Sequence, residues 1–225
     1  MNLQKLNQFI SEYKASLDQK ERVDFGPHWE SLGCFLKNWD VDRPDFAAMY
    51  DRCLQNTQTK RIWKREAWEP KEMMIHFAKM QPEFVRKMFK DLHDESKEIS
   101  GRVSRFKFGM DAMLLEYKER NPRRIDNNHY HDDSEMIHLY LAFRYPEKYC
   151  LFDYPAFLKV NELLMVQNPP SPFETDRFFK ITKVWKNFLI KEEEIIQHYN
   201  KYFRGVDLNG FLVFDFYRFI GYANK

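Results

Sequence analysis

At 225 residues, with 44% hydrophobic and 17% aromatic content, the chain holds enough apolar material for one sizeable core or two small ones. Its 36 Lys+Arg against 34 Asp+Glu leave a formal charge of +2, which excludes a globally basic binder and assigns any attraction to nucleic acid or membrane to a local patch. The three cysteines, Cys34, Cys53 and Cys150, form no C-x-x-C pair, so they read as buried thiols of a reducing cytoplasm and not as a disulfide framework or a zinc site.

The opening "MNLQKLNQFISEYKASL" is polar throughout its first turns and reads as no secretory leader; no apolar run approaches the ~18 residues that cross a bilayer. Leu3, Leu6, Ile10, Tyr13 and Leu17 recur at steps of three and four, which predicts a first amphipathic helix. Phe84, Val85, Met88, Phe89 and Leu92 repeat the pattern behind Pro82, a residue tolerated in a first helical turn. Val103, Phe106, Met110, Met113 and Tyr117 predict another helix. The polar stretches "ERNPRRIDNNHYHDD" and "VQNPPSPFETD" read as loops or hinges, and "KYCLFDY", between Pro146 and Pro155, reads as extended. The longest predicted helix runs from about Glu174 to Phe203, with Phe178, Ile181, Trp185, Phe188, Leu189, Ile195, Tyr199 and Phe203 on one side and Gly205 as its stop. The closing "FLVFDFYRFIGY" is apolar nearly all round, a pattern shared by buried helices and strands; we read it as helix. Seven glycines and ten prolines placed at element ends suit short connections between helices. The expected fold is all-α, with at most a minor short strand pair, in two lobes over 1–120 and 121–225 or as one continuous domain.

The stretch "NHYHDDSEMIHLYLAFRYPEKY" sets His129, His131, His138 and Asp132 close in sequence. A helical metal site places its histidines at i and i+4, as in H-E-x-x-H, and that spacing is missing here. Asp132, Asp133 or Ser134 instead suits the cap of a helix beginning near Glu135, and His138, amid Met136, Ile137 and Leu139, suits a core or boundary position. We expect no bound metal and no cofactor.

The run "HLYLAFRYPEKYCLFDYPAFLKVNELL" resembles the N-terminal region of McrB-type AAA+ proteins, the methylcytosine-directed restriction GTPases. "FLKNWDVDRPDFAAMYDRCL", "MIHFAKMQPEFVRKMFKDLHDESKEISGRVSRFKFGMDAML" and "FLVFDFYRFIGY" resemble further blocks of that region in the same order, over about three quarters of the chain. The resemblance implies an accessory or target-recognition part that precedes a GTPase motor. The motor itself is missing, since no G-x-x-x-x-G-K-[ST] occurs to wrap backbone amides around a triphosphate. The chain is then either the leading part of a longer protein or a free-standing relative of one.

Catalytic patterns are poor. Pro44-Asp45 with Glu116 and Lys118 imitates the P-D…E-x-K order of metal-dependent nucleases, but Glu116 and Lys118 lie inside a helical stripe, where i and i+2 point apart. No G-x-S-x-G occurs, and pairing Cys34 with His76 has only composition behind it. No catalytic residue is assigned. The segment "TKRIWKREAW" alternates Lys60, Arg61, Lys64 and Arg65 with Ile62, Trp63 and Trp68, offering cations for phosphates and rings for bases; tryptophans packed in a core beside solvated lysines produce the same pattern. The expected function is a non-catalytic module for recognition of DNA or of a partner, the AAA+ motor in cis or in trans; the alternative is a protein-docking scaffold, and a metal-dependent enzyme is the third reading.

Overall fold

The computed structural model describes residues 1–18, 27–59, 61–63, 69–122, 134–202 and 207–223, without the side chains of Arg61 and Tyr202. Among these residues the chain is all-helical, with eleven α-helices, one short 3-10 turn and no strand. In chain order they are α1 (Leu3–Asp18), α2 (Pro27–Asn38), α3 (Phe46–Cys53), the 3-10 turn Arg61–Trp63, α4 (Pro70–Met80), α5 (Pro82–Leu92), α6 (Ile99–Arg120), α7 (Glu135–Arg144), α8 (Tyr154–Leu163), α9 (Thr175–Leu189), α10 (Glu193–Tyr202) and α11 (Asn209–Ala223). No helix described is long and apolar enough to cross a membrane. The chain divides into two units, one formed by Phe25–Ile137 and one by Met1–Asp24 with His138–Lys225.

In the Phe25–Ile137 unit each helix packs on its successor from α2 to α6, and α4 also meets α6. Local chemistry sets the helix starts. Asp45 accepts the Ala48 N–H at 3.0 Å as the N-cap of α3. Pro70 and Pro82 open α4 and α5, where a missing N–H leaves no hydrogen bond unmade. Val103, Phe106, Met110, Met113 and Tyr117 are all buried, as the stripe requires. Val85, Met88, Phe89 and Leu92 are buried too, whereas Phe84 is 40% exposed. It precedes Val85 by one residue, about 100° of helix rotation, and so falls at the edge of the face that meets α6. Trp39 ties the core together, stacking on Phe35 at 4.7 Å and meeting Phe89 edge-on at 5.2 Å; Phe89 meets Phe106 at 5.2 Å.

In the other unit α11 packs against α8, α9 and α1, and α1 also against α10. Being covered from several directions explains why Phe211, Leu212, Val213 and Phe214 are buried in succession, a pattern that periodicity alone leaves open. Leu6, Ile10, Tyr13 and Leu17 are buried on α1, while Leu3, its first helical residue, stays half exposed. "KYCLFDY" runs without helix from Tyr149 to Asp153 but pairs with no strand. Its polar backbone is met by one side chain instead: the Tyr217 hydroxyl donates to the Leu151 carbonyl and accepts from the Asp153 N–H, both at 2.8 Å.

The long helix expected over 174–203 is broken into α9 and α10 by a turn at Ile190–Glu192. Leu189 and Ile195, both fully buried, lie six residues apart, a spacing that one straight helix turns to different faces. Consecutive Glu193 and Glu194 in the first turn of α10 favour a new N-terminus there through the helix dipole.

Candidate functional site

The Trp63 ring is 5% exposed, so it presents no free face for a base to stack on. It closes the 3-10 turn and lines a cavity of about 230 Å³ together with Asp51, Gln55, Asn56, Lys71 and Glu72. Lys71 is taken by Asp51 at 2.7 Å, which leaves the walls acidic on balance, the wrong sign for phosphate. Burial of Trp63 is what the packed-tryptophan reading of "TKRIWKREAW" requires at that residue. Lys60, Lys64, Arg65 and Trp68, and the side chain of Arg61, lie outside the described residues.

His129, His131 and Asp132 also lie outside them. Helix α7 begins at Glu135, as the capping residues suggest, but Ser134 has φ 59° and lies in the left-handed region, not the extended one of an N-cap; its hydroxyl accepts from the Lys107 ammonium at 3.1 Å. His138 is fully buried in an aromatic nest, stacked on Phe152 at 4.4 Å and close to Phe178 and Phe179 at 5.0 and 5.1 Å. Among the described residues no three His, Cys, Asp or Glu side chains come together to hold a metal.

The residues that imitate a nuclease serve as structural ties. Asp45 is the α3 cap, and Glu116 takes the Arg120 guanidinium and the Gln81 amide, the latter at 3.1 Å. Lys118 is exposed on α6. His76 lies 3.7 Å from Glu72, with its ring against Tyr117. Burial pushes the Cys53 thiol up to about 12 and the Cys150 thiol well above its usual value, which disarms both as nucleophiles.

Buried polar groups hold the scaffold in the same way. Arg86 donates to the carbonyls of Val41 and Arg43 and lies over the Phe46 ring, pinning the segment between α2 and α3. Arg102, 2% exposed, donates to the Leu92 carbonyl and to Glu95, each at 2.7 Å, and so closes the end of α5. Tyr13 and Tyr199 both donate to one oxygen of Asp215, at 2.7 and 3.0 Å, joining α1, α10 and α11. Burial raises both phenol pKa values well above normal, and Asp215 raises them further, so the hydroxyls stay protonated.

One surface cluster was not singled out in the sequence. The turn after α7 carries Lys148, and α9 carries Lys183 and Lys186. Lys186 reaches the Glu147 carbonyl at 3.1 Å, and the Tyr149 ring packs 4.7 Å from Phe179, which holds the turn against α9. Lys148 lies over the Tyr149 ring at 5.2 Å. Partial burial lowers the Lys148 pKa, and the like charges of Lys183 and Lys186 lower it further. The spacing Lys180, Lys183, Lys186 was the available signal, since steps of three keep cations on neighbouring parts of a helix surface. No family model matches the chain, and neither a curated protein nor a solved structure resembles it at a significant level.

Proposed function

We propose that the chain is a non-catalytic DNA-recognition module of a McrB-like restriction system in the cytoplasm, acting for an AAA+ GTPase motor joined in cis or in trans. One observation carries the reading: the buried groups capable of chemistry, Arg86, Arg102, His138 and the Tyr13–Tyr199 pair on half-buried Asp215, are engaged in packing, while the crowded cations lie at the surface. The block order that resembles the region before the motor supports the context. Calorimetry should give no heat with GTP or ATP, and a mobility-shift assay should show DNA bound at low salt; nucleotide binding in the micromolar range contradicts the reading.

A docking scaffold is the second reading. It is favoured by Phe108 and Leu115, 75% and 62% exposed and seven residues apart on one side of α6. Apolar docking keeps its affinity as salt rises, whereas phosphate binding weakens steeply.

A further inference from the structure

We propose that the ammonium groups of Lys148, Lys183 and Lys186 form a binding site for the backbone phosphates of nucleic acid, an assignment that rests on the DNA-recognition reading above. Lysines at i and i+3 of a helix are neighbours, about 5–6 Å apart at Cβ. The Glu147 carbonyl places Lys186 beside the residue preceding Lys148, which brings a third cation from a different element to the same place. Helical lysines usually spread apart or take a carboxylate. Lys180, one turn earlier on α9, does so with Asp176 at 2.6 Å and is thereby neutralised. Lys183 and Lys186 have no carboxylate partner among the described residues.

Crowding of this kind costs free energy in the unbound protein, and an anion with several oxygens relieves it. Partial burial lowers the Lys148 pKa, and the like charges of Lys183 and Lys186 add to that lowering. Lysine meets phosphate as a point charge, without the fixed fork that arginine requires, so three lysines suit a backbone presented in varied orientations. Arg144, exposed at the end of α7, lies 4.9 Å over the Tyr145 ring, and Tyr145 lies 6.2 Å from Tyr149. Contacts to backbone phosphates carry no sequence information, so the site positions a strand without selecting sequence.

The test measures binding of the intact chain to a fluorescein-labelled duplex of mixed sequence by anisotropy at several salt concentrations, beside anionic phosphatidylserine vesicles. Lys183→Ala with Lys186→Ala should flatten the slope of log affinity against log salt by about two units, because each phosphate contact contributes about 0.9. The pair Lys183→Arg with Lys186→Arg should restore the slope. Lys180→Ala should leave it unchanged, and thermal melting should show all three variants folded, with a small loss only where the Lys186 contact with the Glu147 carbonyl is removed. An unchanged slope in the double alanine variant, with wild-type binding intact, overturns this site and leaves the DNA reading standing. Failure of the wild-type chain to bind the duplex at low salt overturns both. Binding of vesicles but not of duplex, lost in the double alanine variant, assigns the cluster to a lipid surface and overturns the nucleic-acid site.

Discussion

Gly210→Ala should unfold the unit built around α11, or lower its stability by more than about 3 kcal/mol. A Cβ at this position lies 1.8 Å from the Tyr149 carbonyl oxygen and 2.7 Å from that of Pro146. Both neighbours are main chain and neither can swing away as a side chain does. The Gly210 N–H donates to the Pro146 carbonyl at 2.8 Å, so the added methyl group displaces the contact that seats the start of α11 on the turn carrying Lys148. Gly33 is the matched control. It lies exposed inside α2 with nothing within 4 Å of an added Cβ, so Gly33→Ala should stabilise by about 0.5–1 kcal/mol through helix propensity alone. Thermal unfolding of the two variants decides the matter; similar, small effects from both refute the close approach at Gly210.

Trp185→Ala should cost about 3–5 kcal/mol, as loss of a large side chain from a tight core does. Trp185 is fully buried, with Phe157, Tyr217 and Phe216 at 5.5, 6.0 and 6.5 Å. Trp185→Phe should behave differently. The indole N–H is buried without an acceptor among the described residues, a desolvation cost of about 1–3 kcal/mol that phenylalanine does not carry. That relief offsets much of the lost volume, so the phenylalanine variant should stay within about 1.5 kcal/mol of the parent. Denaturant midpoints separate the cases, and a phenylalanine variant as unstable as the alanine variant shows that the indole N–H has found an acceptor.

Helix identity was legible wherever one face of a helix meets a core, as from Val103 to Tyr117. The start of α7 and the helical nature of α11 were legible as well. The partner of each helix was not. The α1 stripe announces that something covers it, but only tertiary contact shows that α9, α10 and α11 do so. The end of α9 left a trace in the six-residue step from Leu189 to Ile195. That "KYCLFDY" leaves the helical pattern from Tyr149 to Asp153 was legible, but the tyrosine hydroxyl that meets its polar backbone is announced by no local pattern. Trp63 shows why a basic-aromatic string is ambiguous: its ring went to the interior, beside Asp51, Glu69 and Glu72. The lysine cluster escaped because Lys148 joins Lys183 and Lys186 only once the turn after α7 packs on α9.

The salt dependence of duplex DNA binding by the intact chain tests the central claim most directly. If the chain recognises DNA through clustered cations, log affinity should fall linearly with log salt with a slope of about three or steeper, and the competing nucleotides GTP and ATP should leave it unchanged. A flat dependence, or no saturable binding at about 50 mM salt, contradicts the account.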